Sequence, residues 1–394
     1  ETLSGSLDRA NKNPNDPVYN HYMFENIAAS VQIHIKNNSL SDFQEKFFPI
    51  FCFILQNDIS EFIPYVFQVL SLLLENMPEN TLKSNENLIG IFSGALTPAA
   101  WESSGNIPPL ARLIGAFISR NDARDLVAQN LTKILGIFQK LINSKANDQH
   151  GLFLVNCLIR YQKFEDIKQY LPPVIRCIFK RISIKKTNKI IRGLLLFLTT
   201  LILSYGVDNT IGLINSVQNG MFEMMIEKLI IPDLVLSTSA GTPREKRAIC
   251  IALSQLLTTE SAFLQQENCN SKLWSPLVTN MLEIFNNHKI KDEDIDQDDD
   301  GLPDDITLAE GSNNLGESEK LTLTKSYQAA FTALIFAGQP RFDPLPKAQA
   351  NVSTSKMFCS GLMKIGENRI GVLTTNMKDD ERGMLQKYLQ ENRC

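Results

Sequence analysis

Apolar residues recur along most of this chain at positions i, i+3, i+4 and i+7, the spacing of helices with a buried face. Breaks of Asn, Asp, Gly, Ser and Pro interrupt the pattern every fifteen to twenty residues or so, about the length of a four- to five-turn helix. Alternating β-branched runs, which would indicate strands, are nearly absent. We therefore predict an all-α fold.

The predicted helices are of two kinds that alternate along the chain. A first helix precedes a tight polar turn and a second helix follows it, as at Asn57-Asp58, and so short a connection makes neighbouring helices antiparallel. The predicted first helices are residues 41–56, 82–96, 124–142, 164–182, 221–236 and 273–286. The predicted second helices are residues 21–37, 60–75, 107–120, 151–161, 187–205, 244–258 and 326–336.

The helical hairpins repeat at a spacing typical of HEAT or armadillo units, which are about 40–47 residues long. The first five intervals between starts of second helices run from 36 to 57 residues. Prolines expected in first helical turns support this interpretation: Pro64, Pro108, Pro172 and Pro276. We predict an α-α superhelix, a HEAT-repeat solenoid of stacked antiparallel hairpins. The alternative is a compact all-α bundle of two domains, since 394 residues exceed one core.

The predicted domain organisation is a HEAT-repeat array over residues 1–340 and a C-terminal helical cap over residues 341–394. An acidic insertion at about 288–320 interrupts the array with a polar stretch that cannot fold by itself. In the cap, residues 341–346 are predicted to be extended, with helices near 347–363 and 378–391. Such a cap covers the last apolar face of a solenoid.

Composition and motifs exclude several functional classes. The net charge of −4 argues against a dedicated nucleic-acid binder, whose surface is usually basic. The four histidines lie far apart and no P-loop, GxGxxG or GxSxG motif occurs, so we predict no enzyme activity, no metal and no cofactor. The apolar stretch 194–203 is too short for a membrane span and predicts a buried helix without membrane insertion.

Cysteine usage indicates a reducing compartment. The seven cysteines include no CxxC pair, and Cys52, Cys157, Cys177 and Cys250 lie in apolar helical runs. Free thiols explain this pattern better than a disulfide framework. We therefore expect a chain of the cell interior, with no signal peptide.

The acidic insertion supplies one set of candidate partner-binding residues: Asp294, Asp296, Asp298, Asp299 and Asp300. Three of these aspartates fit the early positions of an EF-hand loop, but Thr307 stands where the closing Glu would be. Calcium binding, a solvated acidic loop and a docking site for a basic partner surface remain as alternatives.

A basic cluster at one predicted turn supplies the second set of candidates: Lys180, Arg181, Lys185, Lys186, Lys189 and Arg192. Solvated helix ends are one interpretation, because cations suit a helix C-terminus. Capture of an acidic partner segment is the other, because so dense a cluster of cations attracts anions.

Several strings resemble the CAS-type exportins of the importin-β superfamily. The resemblance rests on residues 54–75, Trp101-Glu102, 105–108, 138–151, 224–232 and Lys272-Leu273-Trp274. It runs from about Asn20 to Gly338 and fades beyond. The chain would form about the C-terminal two-fifths of such a protein.

The resemblance implies a nuclear export receptor that binds importin-α together with Ran-GTP and returns it from nucleus to cytoplasm. It also implies shuttling through the nuclear pore, with nucleoporin FG repeats as further candidate partners. The acidic insertion is then the candidate contact with Ran. The alternative function is a HEAT-repeat structural scaffold that holds a stable protein assembly.

Overall fold

The computed structural model describes residues 3–10, 16–83, 85–265, 270–288, 332–346, 349 and 352–391. Every regular element within these ranges is a helix, so the all-α prediction is confirmed. The chain divides into two compact units. Unit 1 contains Glu1–Ile137 and Asp298–Phe342, and unit 2 contains Phe138–Gln297 and Asp343–Cys394.

Unit 1 is an array of helical hairpins. Its helices are α1 (Leu3–Ala10), α2 (Pro17–Lys36), α3 (Leu40–Gln56), α4 (Ile63–Asn76), α5 (Glu86–Ala95), α6 (Ile107–Ser119) and α7 (Arg124–Gln129), and α8 (Leu131–Ile142) leads into unit 2. The predicted turn at Asn57-Asp58 joins α3 to α4, with Asp58 in the left-handed region at φ 51°. Asp and Asn adopt this conformation more readily than other non-glycine residues.

Unit 2 continues the pattern with several departures from the predicted helices. Its helices are α9 (Asp148–Tyr161), α10 (Phe164–Ile167), α11 (Leu171–Ile184), α12 (Asn188–Tyr205), α13 (Val207–Asn215), α14 (Met221–Met225), α15 (Leu234–Ser239), α16 (Pro243–Thr258), α17 (Ala262–Gln265), α18 (Asn270–His288), α19 (Thr354–Ile365), α20 (Glu367–Leu373) and α21 (Asp379–Glu391). The short α13, α17 and α20 were not predicted. The single first helices predicted over residues 124–142 and 164–182 are each divided, the former at Asn130 and the latter by a 3₁₀ turn, Lys168–Tyr170.

The single helix predicted over residues 221–236 is also broken. A π-helical turn, Ile226–Ile230, and a 3₁₀ turn, Ile231–Asp233, separate α14 from α15. Pro232 lacks the N–H that an unbroken α-helix would use here.

Successive second helices pack against each other and form the centre of each unit. In unit 1, α2 packs on α4 and α4 on α6; in unit 2, α9 packs on α12 and α12 on α16. From Ile63 to Leu74, α4 is buried at every residue except Pro64, whereas α3 buries residues on one face only. This difference explains why second helices are apolar nearly throughout and first helices are amphipathic.

Helix α12 is the long, strongly apolar second helix of unit 2. It is long and apolar enough to cross a membrane by length and composition, yet 61% of its residues are buried within the structure. The prediction of a buried helix over residues 194–203 is therefore confirmed.

Residues 326–331 of the predicted second helix at 326–336 lie outside the described residues, and for residues 332–336 the prediction is wrong. Residues 332–334 have no regular structure, and residues 335–337 form a turn. Instead α19 packs on α16 and takes the next place in the row of second helices. Residues 341–346 are non-helical, as predicted, and α19 and α21 correspond to the two predicted cap helices. The division into a 1–340 array and a cap remains a prediction.

Two smaller expectations are also corrected. Pro276 lies inside α18 rather than in its first turn, because the helix already begins at Asn270. None of Cys52, Cys157, Cys177 and Cys250 is disulfide-bonded, as predicted, and burial raises the pKa of Cys250 to about 12. Cys359 is disulfide-bonded, so the free-thiol prediction is wrong there.

A buried ion pair that follows α6 connects this part of unit 1 with the end of α4. Arg120 donates to both oxygens of Asp122 at 2.8 Å, and the two side chains are 5% and 0% exposed. The same guanidinium donates to the carbonyl oxygens of Leu74, Met77 and Pro78. Burial alone would raise the pKa of Asp122, but hydrogen bonds from Arg120 and the Leu82 N–H lower it below its ordinary value. The ion pair therefore stabilises unit 1 above pH about 4 and loses this contribution in stronger acid.

We predict that Arg120→Met lowers the free energy of unfolding of unit 1 by about 3–5 kcal/mol, because it leaves Asp122 and three carbonyls buried without a partner. Trp101 lies in unit 1 and Trp274 in unit 2, and they are the chain's two tryptophans. Urea unfolding followed by Trp101 fluorescence in a Trp274→Phe background therefore reports on unit 1.

Lys83→Met is the matched control. It removes an exposed ion pair with Asp125, whose atoms lie 3.8 Å apart. The expected change is within about 0.5 kcal/mol. Equal losses in both variants would contradict the role assigned to Arg120.

Candidate partner-binding site

The basic cluster lies where predicted, at the turn between α11 and α12 in unit 2. Lys180 and Arg181 belong to the last turns of α11, Lys185 and Lys186 to the connection, and Lys189 and Arg192 to α12. The fold thus brings six cations around one end of one hairpin. Their environments differ, and this decides which of them can meet a partner.

Arg181 is a structural residue. Its side chain is 3% exposed and donates to Asp148 on α9 at 2.9 Å and to the Lys185 carbonyl at 2.8 Å. The buried pair neutralises the charge of Arg181 and ties the turn to α9. Arg181 therefore adds no exposed positive charge.

Lys186 and Arg192 are paired with carboxylates of neighbouring elements. Lys186 lies 2.7 Å from Asp233, and Arg192 lies 2.7 Å from Glu245. Glu245 also closes the capping box at the start of α16, accepting from the Thr242 N–H. These two cations are partly exposed but already balanced by an anion.

Three lysines, Lys180, Lys185 and Lys189, remain as the exposed part of the cluster. No salt bridge within the described ranges includes any of them. We name them the lysine triad. Ile184 lies beside it and is 69% exposed. The triad is a positive surface with one apolar neighbour, which suits an acidic segment of a protein partner.

His150, on α9, is affected by the same charges. Burial lowers its pKa, and the positive charge of Lys189 lowers it further, to about 4. The imidazole is therefore neutral at physiological pH and adds no positive charge to this surface.

The acidic candidates Asp294, Asp296, Asp298, Asp299 and Asp300 lie outside the described residues. Their role stays a prediction.

A second set of polar residues, which was not predicted from the sequence, lies on the second helices of unit 1. Gln68 on α4 accepts from the Leu334 N–H at 2.8 Å and donates to the Thr332 carbonyl at 3.0 Å. Glu25 on α2 accepts from the N–H groups of Ile335 and Phe336 at 2.7 and 3.1 Å. Each side chain thus makes two bonds with the main chain of a distant segment.

Arg112 on α6 completes this set. It donates to the carbonyl oxygens of Ala337 and Gly338, both at 2.8 Å. Its guanidinium also forms a two-pronged, buried ion pair with Glu75 of α4, at 3.0 and 2.8 Å. Three successive second helices therefore each bind the main chain of residues 332–338, which we name the strap.

Unit 2 holds the following residues in a similar way. Arg160 on α9 donates to the carbonyl oxygens of Asp343 and Leu345 at 3.3 Å, and Arg247 on α16 donates to that of Val352 at 2.8 Å. Side chains of second helices thus bind carbonyls of the later chain in this unit as well.

The sequence does contain a signal for these residues. Glu25, Gln68, Arg112 and Arg160 are polar residues in the predicted second helices, separated by 43, 44 and 48 residues, which is the repeat spacing. A polar residue that recurs once per repeat in a buried helix requires a partner, because burying it without a hydrogen bond is costly. The hydrogen-bond partner of Glu25 lies some 300 residues away along the chain, so no local sequence pattern could predict it.

Comparison with known proteins gives consistent matches along the chain. Residues 1–388 match the family model described as CAS/CSE protein, C-terminus, so the match continues past Gly338, where the resemblance was expected to fade. The chain is 34% identical to Exportin-2 of Oreochromis niloticus over 397 residues, and 35% identical to Exportin-2 of Pagrus major over 401. Exportin-2 of Homo sapiens is 34% identical over 400 residues.

These alignments cover 98–99% of this chain but 38% of each relative, so the chain spans about two fifths of their length. Among solved structures, the exportin Cse1 in its cargo-free, cytoplasmic state matches with a TM-score of 0.73. That match has 23% identity and covers 98% of this chain and 37% of the other. It supports the predicted fold of stacked helical hairpins.

We predict that Lys189→Met raises the pKa of His150 above its value of about 4 but leaves it below 6.5, because burial, the larger cause, remains. Titration of the histidine ring protons by NMR measures this directly. Folded His150 resists protonation until about pH 4, while the unfolded imidazole binds a proton near 6.5. Stability therefore falls as pH decreases through this window, and the variant should show a smaller fall.

The matched control is Lys185→Met, an exposed neighbour that is not among the causes of the shift. It should leave the His150 titration unchanged. A His150 pKa near 6.5 in the unaltered chain would show that the imidazole is not placed as described.

Proposed function

Because the chain belongs to the CAS/CSE protein family, we propose that it forms the C-terminal part of a nuclear export receptor. The receptor would bind importin-α as cargo together with Ran-GTP, and carry importin-α from nucleus to cytoplasm. The observation that carries the proposal is the match to exportins along 98% of this chain. Shuttling between the two compartments and contact with nucleoporin FG repeats follow from the same proposal.

The hairpin array suits a receptor that works by shape. Within each unit, second helices pack on the next in the series, so a small shift at each interface adds up over the repeats. Two ligands that favour the same arrangement of hairpins bind cooperatively by linkage. This mechanism needs no catalytic step in the chain.

Charge suggests where partners would dock. The lysine triad would take an acidic segment of one partner, since its three ammonium groups are exposed and form no salt bridge within the described ranges. The aspartates at 294, 296, 298, 299 and 300 would face a basic surface, and Ran is our candidate for it. Both assignments rest on charge complementarity.

A HEAT-repeat scaffold that holds a permanent assembly is the alternative from another class. The two functions differ in nucleotide dependence. An export receptor must release its cargo when the nucleotide state of Ran changes, whereas a scaffold keeps its partners.

We expect the complete receptor containing this chain to recover importin-α in a pull-down with GTP-locked Ran and not with GDP-loaded Ran. Linkage between the two ligands is the physical reason. Equal recovery of importin-α with both forms of Ran would rule out the exporter and favour the scaffold.

Reversing the charge of the lysine triad tests the docking surface. In the complete receptor, Lys180→Glu/Lys185→Glu/Lys189→Glu should weaken assembly of the importin-α and Ran-GTP complex at least about tenfold, mainly through slower association at low salt. Surface plasmon resonance at two salt concentrations measures this.

The control reverses three exposed lysines elsewhere, Lys46, Lys133 and Lys163, and should leave the affinity within about twofold. Equal weakening by both variants would mean that only net charge matters.

A further inference from the structure

We propose that Glu25, Gln68 and Arg112 form a peptide-binding site that the strap occupies in cis and that a peptide of the same pattern can occupy in trans. The site lies wholly within unit 1. The inference does not depend on the export function, because it follows from the contacts of residues 332–338.

Groups outside the strap contact each of the three side chains. The carboxylate of Glu75 holds the guanidinium of Arg112, and the Pro64 carbonyl accepts from Gln68 at 3.2 Å. The imidazole of His21 lies 3.6 Å from the Glu25 carboxylate. Because these second partners belong to the helices, the site keeps its geometry when the strap leaves, and binding need not organise it first.

The site recognises main chain more than side chains. Its six hydrogen bonds with the strap use three N–H groups and three carbonyls of the strap backbone. Glu25, Gln68 and Arg112 are only 6%, 3% and 6% exposed, so these bonds form away from water, where an unpartnered group is costly. The site therefore favours any backbone that offers the same donors and acceptors.

The strap sets the side-chain pattern that a ligand would need. Leu334 and Ala337 are buried against unit 1, whereas Ile335 and Phe336 are 53% and 36% exposed. The strap turns tightly, with the Ala337 N–H bonded to the Leu334 carbonyl, and Gly338 has φ 63°, which favours glycine. The ligand class is a peptide with the pattern apolar, any, any, small, glycine.

The test uses a labelled synthetic peptide of residues 332–340, Thr-Ala-Leu-Ile-Phe-Ala-Gly-Gln-Pro. In the full chain, Leu334→Ser/Ile335→Pro/Phe336→Pro removes the buried anchor and the two N–H groups that bind Glu25, and so releases the strap. Fluorescence anisotropy should show binding to this variant at least about tenfold tighter than to the unaltered chain, where the tethered strap competes at an effective concentration of about millimolar.

Two controls separate main-chain recognition from simple hydrophobic binding. A peptide methylated on the nitrogens of Ile335 and Phe336 lacks the donors to Glu25 and should bind at least about tenfold more weakly. Adding Glu25→Gln to the released-strap variant should also weaken the unmodified peptide by about tenfold, because the neutral amide makes weaker bonds than the carboxylate. Glu86→Gln, which alters an exposed glutamate on α5, should not.

A second measurement applies to the chain with its strap intact and covers the case in which the released-strap variant fails to fold. Millimolar peptide should speed hydrogen exchange at the amides of Leu334, Ile335 and Phe336, and the methylated peptide should not. Unchanged exchange at these amides, equal peptide affinity with and without the strap, or equal binding of the methylated peptide would each overturn the proposal.

Discussion

The packing of each second helix against the next within each unit is the constraint on which the rest of this structure depends. Helices α4, α6 and α12 are buried nearly all round, so their sequences are apolar almost throughout. Such helices give the units their cores, and they admit a polar residue only where a partner satisfies it. Gln68 and Arg112 are both less than about a tenth exposed, and each has specific hydrogen-bond partners.

This constraint explains how the polar residues of the array divide into two groups. Residues inside the row of second helices bind carboxylates or the main chain of later segments, as Arg112 does with Glu75 and the strap. Residues at hairpin ends, such as the lysine triad, stay in water and keep their charge available. Arg181 is an exception: it lies beside Lys180 at the end of the first helix α11, yet it is buried and paired with Asp148 of α9.

The sequence was sufficient for the helices whose pattern is local, and insufficient where the partner is remote. The predicted second helices correspond to α2, α4, α6, α9, α12 and α16, because apolar spacing and turn residues are local signals. The prediction of the last second helix, at 326–336, was wrong. Leu334 and Ala337 are three residues apart, a spacing typical of the apolar face of a helix, but they are buried residues of the strap. The strap's partners on α2, α4 and α6 lie more than 200 residues away in sequence. Charge density identified the basic cluster, but which of its cations are paired depends on Asp148, Asp233 and Glu245, which other elements supply.

Hydrogen exchange across the complete receptor, with and without the importin-α and Ran-GTP pair, tests most directly whether this array is a surface for those partners. Binding should slow exchange in contiguous stretches of this chain, including the α11–α12 turn that carries the lysine triad, and Ran-GDP should leave those stretches unchanged. If exchange within this chain is the same in all three states, and every change lies in the rest of the receptor, the view that this chain takes part in cargo binding is contradicted.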